Sequence, residues 1–512
     1  MIDQLYSGII KPRHLRIALG IFLVIFTLSL WKRYVHADEL WFAEMSYYLA
    51  KTGVVKMASI RGVLGLDQQI FPFHKLHIFI GAAIVSLFGW SVYYFKIFTL
   101  LVYVGFFYVF YKFYLANSEK YTSNQIWLAS LIILTSPALV NYGFLYRPEI
   151  LIMTLGFLSY FLLNKFLQQG KYQWVWVSGI LAGLATLTHL NGMVFLVAGV
   201  IMLGFFKRFK AGLIFAFFGL LVSSIYTYDL WGESNFEVFM MQIKYWPQHS
   251  FEENVNFTGP LSFIQTFFIK FITEHKRYFR NEVISVLSGL FLLSLFVSYR
   301  SLLKSHKSLL IFSLTLMVSL ALLGSHKVPR FLIYLYPFMA IIISGFLLKL
   351  RDYNWLWLKI VIILGIAAQL AISGKVFYNI FQRNGDFSQA HRAMMEKIPD
   401  PEARILGPWD VIFNEIGKYD LVTYYTYEFY IEKEKKEFSQ QQILKKIAED
   451  SIEYIILDKP FISIYRPKWS SFFFHFKKLF VQGNIKDNPY FEFYYRDEEF
   501  LILKNKKLVS AG

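Results

Sequence analysis

The chain has 512 residues, of which 56% are hydrophobic and 20% aromatic, and a formal net charge of +17. Apolar runs able to cross a bilayer, at about 20 residues each, recur along it and exclude a water-soluble globular protein. The Lys and Arg surplus lies in loops between those runs, as on a cytoplasmic face, which argues against nucleic acid as a partner, and the lack of any cysteine excludes disulfides, zinc-thiolate sites and thiol nucleophiles.

The first apolar run, residues 15–31, has no small-residue cleavage site after it, and Trp31-Lys32-Arg33-Tyr34 reads as an interfacial anchor, so it is expected to remain a span. Lys11, Arg13 and Arg16 precede it, which places the N-terminus in the cytoplasm and the next stretch, His36-Ala37-Asp38-Glu39-Leu40, outside. Charges beside a bilayer are costly and usually functional, so Asp38 and Glu39 are taken as the centre of a site. From Leu40 to about Ala50 aromatics mix with Glu44, as in a helix lying in the interface. The run Leu76 to Trp90 is one short span long. If it crossed, Lys112, Lys120, Lys165, Lys171 and Lys207-Arg208 would all face outside, so it is expected to be re-entrant or to lie flat.

Eleven crossings follow: 15–31, 92–112, 125–142, 150–167, 174–190, 192–206, 211–231, 283–299, 308–324, 331–348 and 355–373. From an inside start they leave the C-terminus outside. The stretch 174–206 is divided at His189-Leu190-Asn191-Gly192. In the outer loop 232–281 a helix is expected from Pro260. It would set Ile264, Phe267, Phe268, Phe271 and Ile272 on one face and Gln265, Lys270, Thr273 and Glu274 towards water. Its end, His275 to Arg280, is a cationic cluster suited to lipid phosphates, with Lys276, Arg277 and Arg280 as anchors.

The expected organisation is a polytopic α-helical membrane region over 1–380, with outer loops 32–91 and 232–281, and a small extracytoplasmic α/β domain over 386–512. Strands are expected at Arg404 to Gly407, Leu421 to Tyr425 and Ile452 to Leu457, with a helix from Gln440 to Glu449. A hairpin of Phe491 to Tyr495 and Phe500 to Leu503 turns at Arg496-Asp497-Glu498-Glu499. The domain has no glycine-rich phosphate loop and no nucleophile elbow, so no catalysis is assigned to it.

On this topology the unusual polar residues gather at one outer cavity: Asp38 and Glu39; His74, Lys75 and His77; Arg147 and Glu149; His189 and Asn191; His326, Lys327 and Arg330. Each also has a structural role open to it. Glu149 follows Pro148 at a helix start, where an acid complements the helix dipole, and Arg147, Lys327 and Arg330 stand where cations anchor helix ends. Carboxylates to accept a proton and cations to stabilise a departing phosphate are what transfer from a phosphorylated carrier to a hydroxyl or amine requires. A divalent metal bridging Asp38 and the phosphate is compatible with the sequence, but no ligand spacing demands one, and no cofactor is required.

Several motifs occur in order: Asp38-Glu39 after the first span, a Lys before a segment ending Leu87-Phe88-Gly89, and Ser136-Pro137 leading to Arg147-Pro148-Glu149. Then come Gly183-Leu184-Ala185-Thr186-Leu187-Thr188-His189 and Lys327-Val328-Pro329-Arg330-Phe331 leading to Tyr336-Pro337. Over roughly residues 10–350 the chain resembles the GT-C glycosyltransferases of the protein-O-mannosyltransferase and aminoarabinose-transferase type. The resemblance implies a hexosyl- or pentosyltransferase of a bacterial inner membrane. It would use a polyprenyl-phosphate sugar donor on the outer face, invert the anomeric carbon, and act on a glycan, lipid or protein acceptor. It implies Asp38 as general base, with Glu39 and Glu149 beside it, and Lys75, Arg147, His189, Lys327 and Arg330 as candidates for the donor phosphate. Glu149 stands where the family often has Asp, and His189 where it often has Lys. A transporter or flippase of lipid-linked sugars would share the basic cavity, but with internal repeats and mid-membrane charges; a polymerase or ligase would differ only in acceptor.

Overall fold

The computed structural model describes residues 11–33, 37–232, 234–245, 260–324, 327–350, 355–382, 388–434, 438–458, 488–498 and 500–506. His36, His326 and the stretch Asn256-Phe257-Thr258 lie outside them. Seven helices among the described residues are long and apolar enough to cross a membrane: Pro12–Lys32, Val92–Ala116, Glu149–Gln169, Phe209–Thr227, Glu282–Ser305, Pro329–Leu348 and Leu356–Phe381. Shorter apolar helices, Lys75–Phe88, Ser123–Leu134, Gln173–Thr188, Leu190–Phe205 and Lys307–Leu323, fill the bundle between them. The chain is an integral membrane protein of α-helical type with a small C-terminal sheet.

Local chemistry sets the breaks that shape the site. Thr188 ends one helix and a 3-10 turn, Leu190–Gly192, leads into Met193–Phe205. A Cβ at Gly192 would lie 2.1 Å from the Ala185 carbonyl oxygen, so only glycine lets the chain turn this tightly. Gly179 and Gly183 likewise admit the backbone of helix Phe209–Ser223 at Phe215 and Gly219, the close approach of small residues by which membrane helices pack. The expected single span 125–142 is instead two helices, Ser123–Leu134 and Pro137–Tyr142. Pro137 has no N–H to continue the ladder, and the Thr135 hydroxyl donates to the Leu131 carbonyl at the break.

The helix Pro260–Ile272 forms as expected, but its polar side does not all face water. Phe267, Phe268, Phe271 and Ile272 are exposed, while Glu274 beyond its end is buried and Lys270 half-buried against the bundle. Arg277 is fully buried, so it is not a lipid anchor: a guanidinium facing headgroups would keep its solvent exposure, whereas this one is taken up by Glu274 and by chain carbonyls.

The C-terminal sheet runs β2-β1-β3-β5-β4, with β1 Arg404–Gly407, β2 Asp420–Thr423, β3 Tyr454–Asp458, β4 Phe491–Arg496 and β5 Phe500–Asn505. β1 is parallel to β2 and β3, and β5 antiparallel to β3 and β4. A capping box of Ser439 and Gln442 starts the helix Gln440–Glu449, the reciprocal bonding expected of that motif. Leu406, Ile455, Leu457 and Leu503 pack under Ile443, Leu444 and Ile447 on one sheet face. On the other, Ile405, Tyr454, Ile456 and Ile502 share a core with Leu40, Trp41, Met57 and Leu66 of the segment after the first span. The domain is therefore seated on the helix Ala37–Thr52. Trp409 stacks on Tyr425 at 4.6 Å, and both rings meet Trp41. Arg61 pairs with Asp420, and Thr423 donates its N–H to the Ser59 carbonyl at 2.8 Å.

Candidate active site

Asp38 and Glu39 lie in the first turn of Ala37–Thr52, where carboxylates complement the helix dipole. Adjacent on a helix, they cannot face the same way, and they do not. Asp38 Oδ2 pairs with Arg147 Nη1 and lies 3.7 Å from Arg330 Nη1. Arg147 also donates to Glu149 from Nε at 3.1 Å and from Nη2 at 2.8 Å, a two-pronged contact, and Arg330 Nε lies 3.1 Å from Glu149 Oε1. Four charges from three distant stretches thus meet in one cluster, with two guanidiniums balancing two carboxylates. Burying such a network is costly unless each charge is matched. Arg147 and Glu149 are buried, whereas the Asp38 and Arg330 side chains keep 13% and 24% exposure. The cluster is therefore more open on its Asp38–Arg330 side.

Glu39 turns the other way. Its Oε1 accepts the Tyr146 N–H at 2.8 Å and lies 3.7 Å from Lys96 Nζ. Lys75 Nζ, at the start of Lys75–Phe88, lies 2.5 Å from Asp229 Oδ2 and donates to the Phe71 carbonyl at 3.1 Å. The rings of Phe73, Tyr226 and Tyr228 surround it at 3.8, 5.2 and 5.0 Å. Burial pulls the Lys75 ammonium down to about 8, against the Asp229 carboxylate. Lys327 Nζ lies 2.5 Å from Glu274 Oε2 and donates to the carbonyls of Lys270 and Ala321 at 2.8 and 3.0 Å, so its contacts lie in a second cluster with Arg277.

His189 Nδ1 accepts the Asn191 N–H at 2.9 Å, which an imidazolium cannot do, so the ring is neutral here. It stacks on His74 at 4.2 Å and meets Phe331 at 5.7 Å, while His74 meets Phe42 at 4.9 Å. Arg147 lies over Phe42 and Arg330 over Phe331. A row of rings, Phe42, His74, His189 and Phe331, thus spans the two arginines. Burial is the main reason the His74 ring is pulled down to about 4, so it too is neutral at pH 7.

Asp229, Lys96 and Tyr146 were not among the residues singled out in the sequence, and Glu274 was expected to face water. Lys96 had a signal: it is a charge inside the apolar run Val92–Ala116, an arrangement that usually marks a partner. Asp229 had none beyond its place after Tyr226 and Tyr228. Among the described residues no group of three or more His, Asp or Glu side chains is placed to hold a metal ion.

Residues 276–405 match the model of the Alg9-like mannosyltransferase family. No curated protein matches the chain. Among solved structures, ArnT from Cupriavidus metallidurans bound to undecaprenyl phosphate is similar over 95% of this chain and 97% of that one, with a TM-score of 0.56 and 12% identity. The archaeal oligosaccharyltransferase AglB from Archaeoglobus fulgidus, in complex with an inhibitory peptide and a dolichol-phosphate, is similar over 86% of this chain and 69% of that one, with a TM-score of 0.51 and 11% identity. The Archaeoglobus fulgidus oligosaccharyltransferase in complex with Zn and sulfate is similar over 96% and 73%, with a TM-score of 0.55 and 13% identity. The chain has the fold of the GT-C membrane glycosyltransferases.

Proposed function

We propose that the protein is a membrane glycosyltransferase that moves a sugar from a polyprenyl-phosphate carrier to an acceptor on the outer face of the membrane. One observation carries this reading: Asp38, Arg147, Glu149 and Arg330 converge in one cluster that is open on the Asp38–Arg330 side. In the reaction, Asp38 takes the proton of the acceptor hydroxyl or amine as that group attacks the anomeric carbon. The bond from that carbon to the phosphate oxygen breaks on the opposite face, so configuration inverts. Arg330, the more exposed guanidinium, receives the charge that builds on the departing phosphate. Glu149 holds both guanidiniums in register, and the neutral rings of His74 and His189 offer a flat apolar wall rather than further positive charge.

The bound carriers of similar structures, undecaprenyl phosphate in ArnT and a dolichol-phosphate in AglB, support a lipid-phosphate donor. Reconstitution tests the reading. The purified protein in liposomes, given polyprenyl-phosphate sugars and cell-envelope acceptors, is expected to transfer sugar and release polyprenyl phosphate. Lipid profiling of a deletion strain is expected to show one prenyl-phosphate sugar accumulating and one glycan lacking that sugar. Absence of both effects would contradict it. A reporter fused after Gly512 is expected to be active outside the cytoplasm; a cytoplasmic signal would overturn the outer-face placement.

A further inference from the structure

The second carboxylate of the Asp38-Glu39 doublet faces away from the Asp38–Arg147–Arg330 cluster and is engaged elsewhere. Glu39 Oε1 accepts the Tyr146 N–H at 2.8 Å, with Lys96 Nζ 3.7 Å from the same oxygen. Both side chains are buried, to 1% and 0% exposure. Tyr146 immediately precedes Arg147, and the backbone there is strained: Phe144 has φ +61°, in the left-handed region that a bulky residue avoids. Such a conformation persists only where its surroundings hold it.

Several contacts do hold it. The Thr99 hydroxyl donates to the Leu145 carbonyl at 3.3 Å, and the Tyr146 hydroxyl donates to the His77 carbonyl at 2.7 Å. The His77 and Phe95 rings lie against the Tyr146 ring at 4.2 and 4.4 Å. Gly81 leaves room for its hydroxyl, since a Cβ there would come within 1.9 Å of it. Glu39 is the charged member of this set and the one that shares a helical turn with Asp38.

We propose that the Glu39–Lys96 pair is a positioning clamp for Arg147. It fixes the Tyr146 backbone so that the Arg147 guanidinium meets Asp38 and Glu149. The doublet then works as a unit, in which Asp38 faces the reacting atoms and Glu39 fixes the counter-charge of Asp38. Lys96 neutralises the buried carboxylate, which unpaired would be strongly destabilising. The proposal rests on the reading of the Asp38–Arg147–Arg330 cluster as the site of the donor phosphate.

The charge and the hydrogen bond are separable. Glu39→Gln keeps an oxygen acceptor for the Tyr146 N–H but takes away the opposite charge beside Lys96, and Lys96→Met takes away the one beside Glu39. The double variant Glu39→Gln/Lys96→Met keeps the acceptor and carries neither charge of the pair. Binding of undecaprenyl phosphate to the purified full-length protein, together with the thermal midpoint, is measured for wild type, both single variants, the double variant and Arg147→Ala.

The single variants are expected to weaken binding about tenfold or more, a loss of about 1.4 kcal/mol, and the double variant to return within about threefold of wild type. Single variants indistinguishable from wild type would overturn the clamp. So would a double variant whose thermal midpoint recovers while its binding does not, because Glu39 would then act directly on the ligand. If both single variants fail to fold, the double variant alone decides by the same criteria. A wild-type protein that binds no undecaprenyl phosphate, or an Arg147→Ala variant that binds like wild type, would overturn the donor-phosphate reading, and the clamp with it.

Discussion

Two charge clusters in this molecule are built from cations and carboxylates and are satisfied in different ways. Around Asp38, two guanidiniums and two carboxylates face one another, and Asp38 and Arg330 keep partial exposure. Around Glu274, Arg277 and Lys327 share one carboxylate and direct further donors to the carbonyls of Leu320, Val328, Lys270 and Ala321. The second cluster ties helix Pro260–Ile272 to the turn that carries Arg330; it is a joint. Lys327 and Arg330 stand three residues apart and belong to different clusters. Charge alone does not tell a binding cation from a structural one. The destination of its spare donors does.

This contrast can be broken at either cluster. The largest stability effect is expected at the joint. Arg277→Ala leaves the buried Glu274 short of a cationic partner and removes the link to the Leu320 and Val328 carbonyls, at a cost of about 3–5 kcal/mol. A thermal midpoint close to wild type would show that the joint is not structural.

Arg330→Ala is expected to do the reverse. It removes charge-assisted contacts worth about 1.5–3 kcal/mol, so affinity for undecaprenyl phosphate should fall roughly 10- to 100-fold, while the thermal midpoint falls by less than in Arg277→Ala because Glu149 keeps Arg147. Equal affinity would place Arg330 with the structural cations.

A pH effect is expected where the C-terminal domain sits on the Asp38 helix. Glu44 accepts the Ser59 N–H at 2.8 Å and the Ser59 hydroxyl at 2.6 Å, and burial pushes its carboxyl up to about 7. The folded protein therefore holds a proton there that the unfolded chain releases near 4.5. The stabilisation is complete below that value and is lost as pH rises through 7, by at most about 3 kcal/mol. The thermal midpoint should fall between pH 5 and 8, and Glu44→Gln should flatten that slope; an unchanged slope would assign it to another group. Smallest of all, Lys445→Ala breaks an exposed pair with Glu449 and should cost below about 0.5 kcal/mol, checked by the same thermal scan.

Local signals in the sequence carried much of the fold. The helix Gln440–Glu449 and the strand Arg404–Gly407 stand where patterning places them, and the chain turns at Leu190–Gly192, where the span 174–206 was divided. The break at Pro137 was missed, because the apolar run continues on both sides of the missing N–H.

The charged residues were legible as candidates and not as pairs. Lys75 was visible beside its histidines, yet its partner Asp229 lies 154 positions away and is chosen by how the helix ends meet. Asp38 and Glu39 looked alike because composition and spacing carry no direction, whereas the first turn of a helix sends neighbours to different faces. Arg277, expected among lipid anchors, was drawn inside because Glu274 and the carbonyls of Leu320 and Val328 satisfy it there.

The most direct test of the central claim is Asp38→Asn in purified protein, with sugar transfer from a polyprenyl-phosphate donor and undecaprenyl-phosphate binding measured side by side. Removal of the proton acceptor should lower transfer about 100-fold or more while the protein stays folded and retains the lipid phosphate. Transfer at the wild-type rate would contradict the role assigned to Asp38 and leave the cluster without its base.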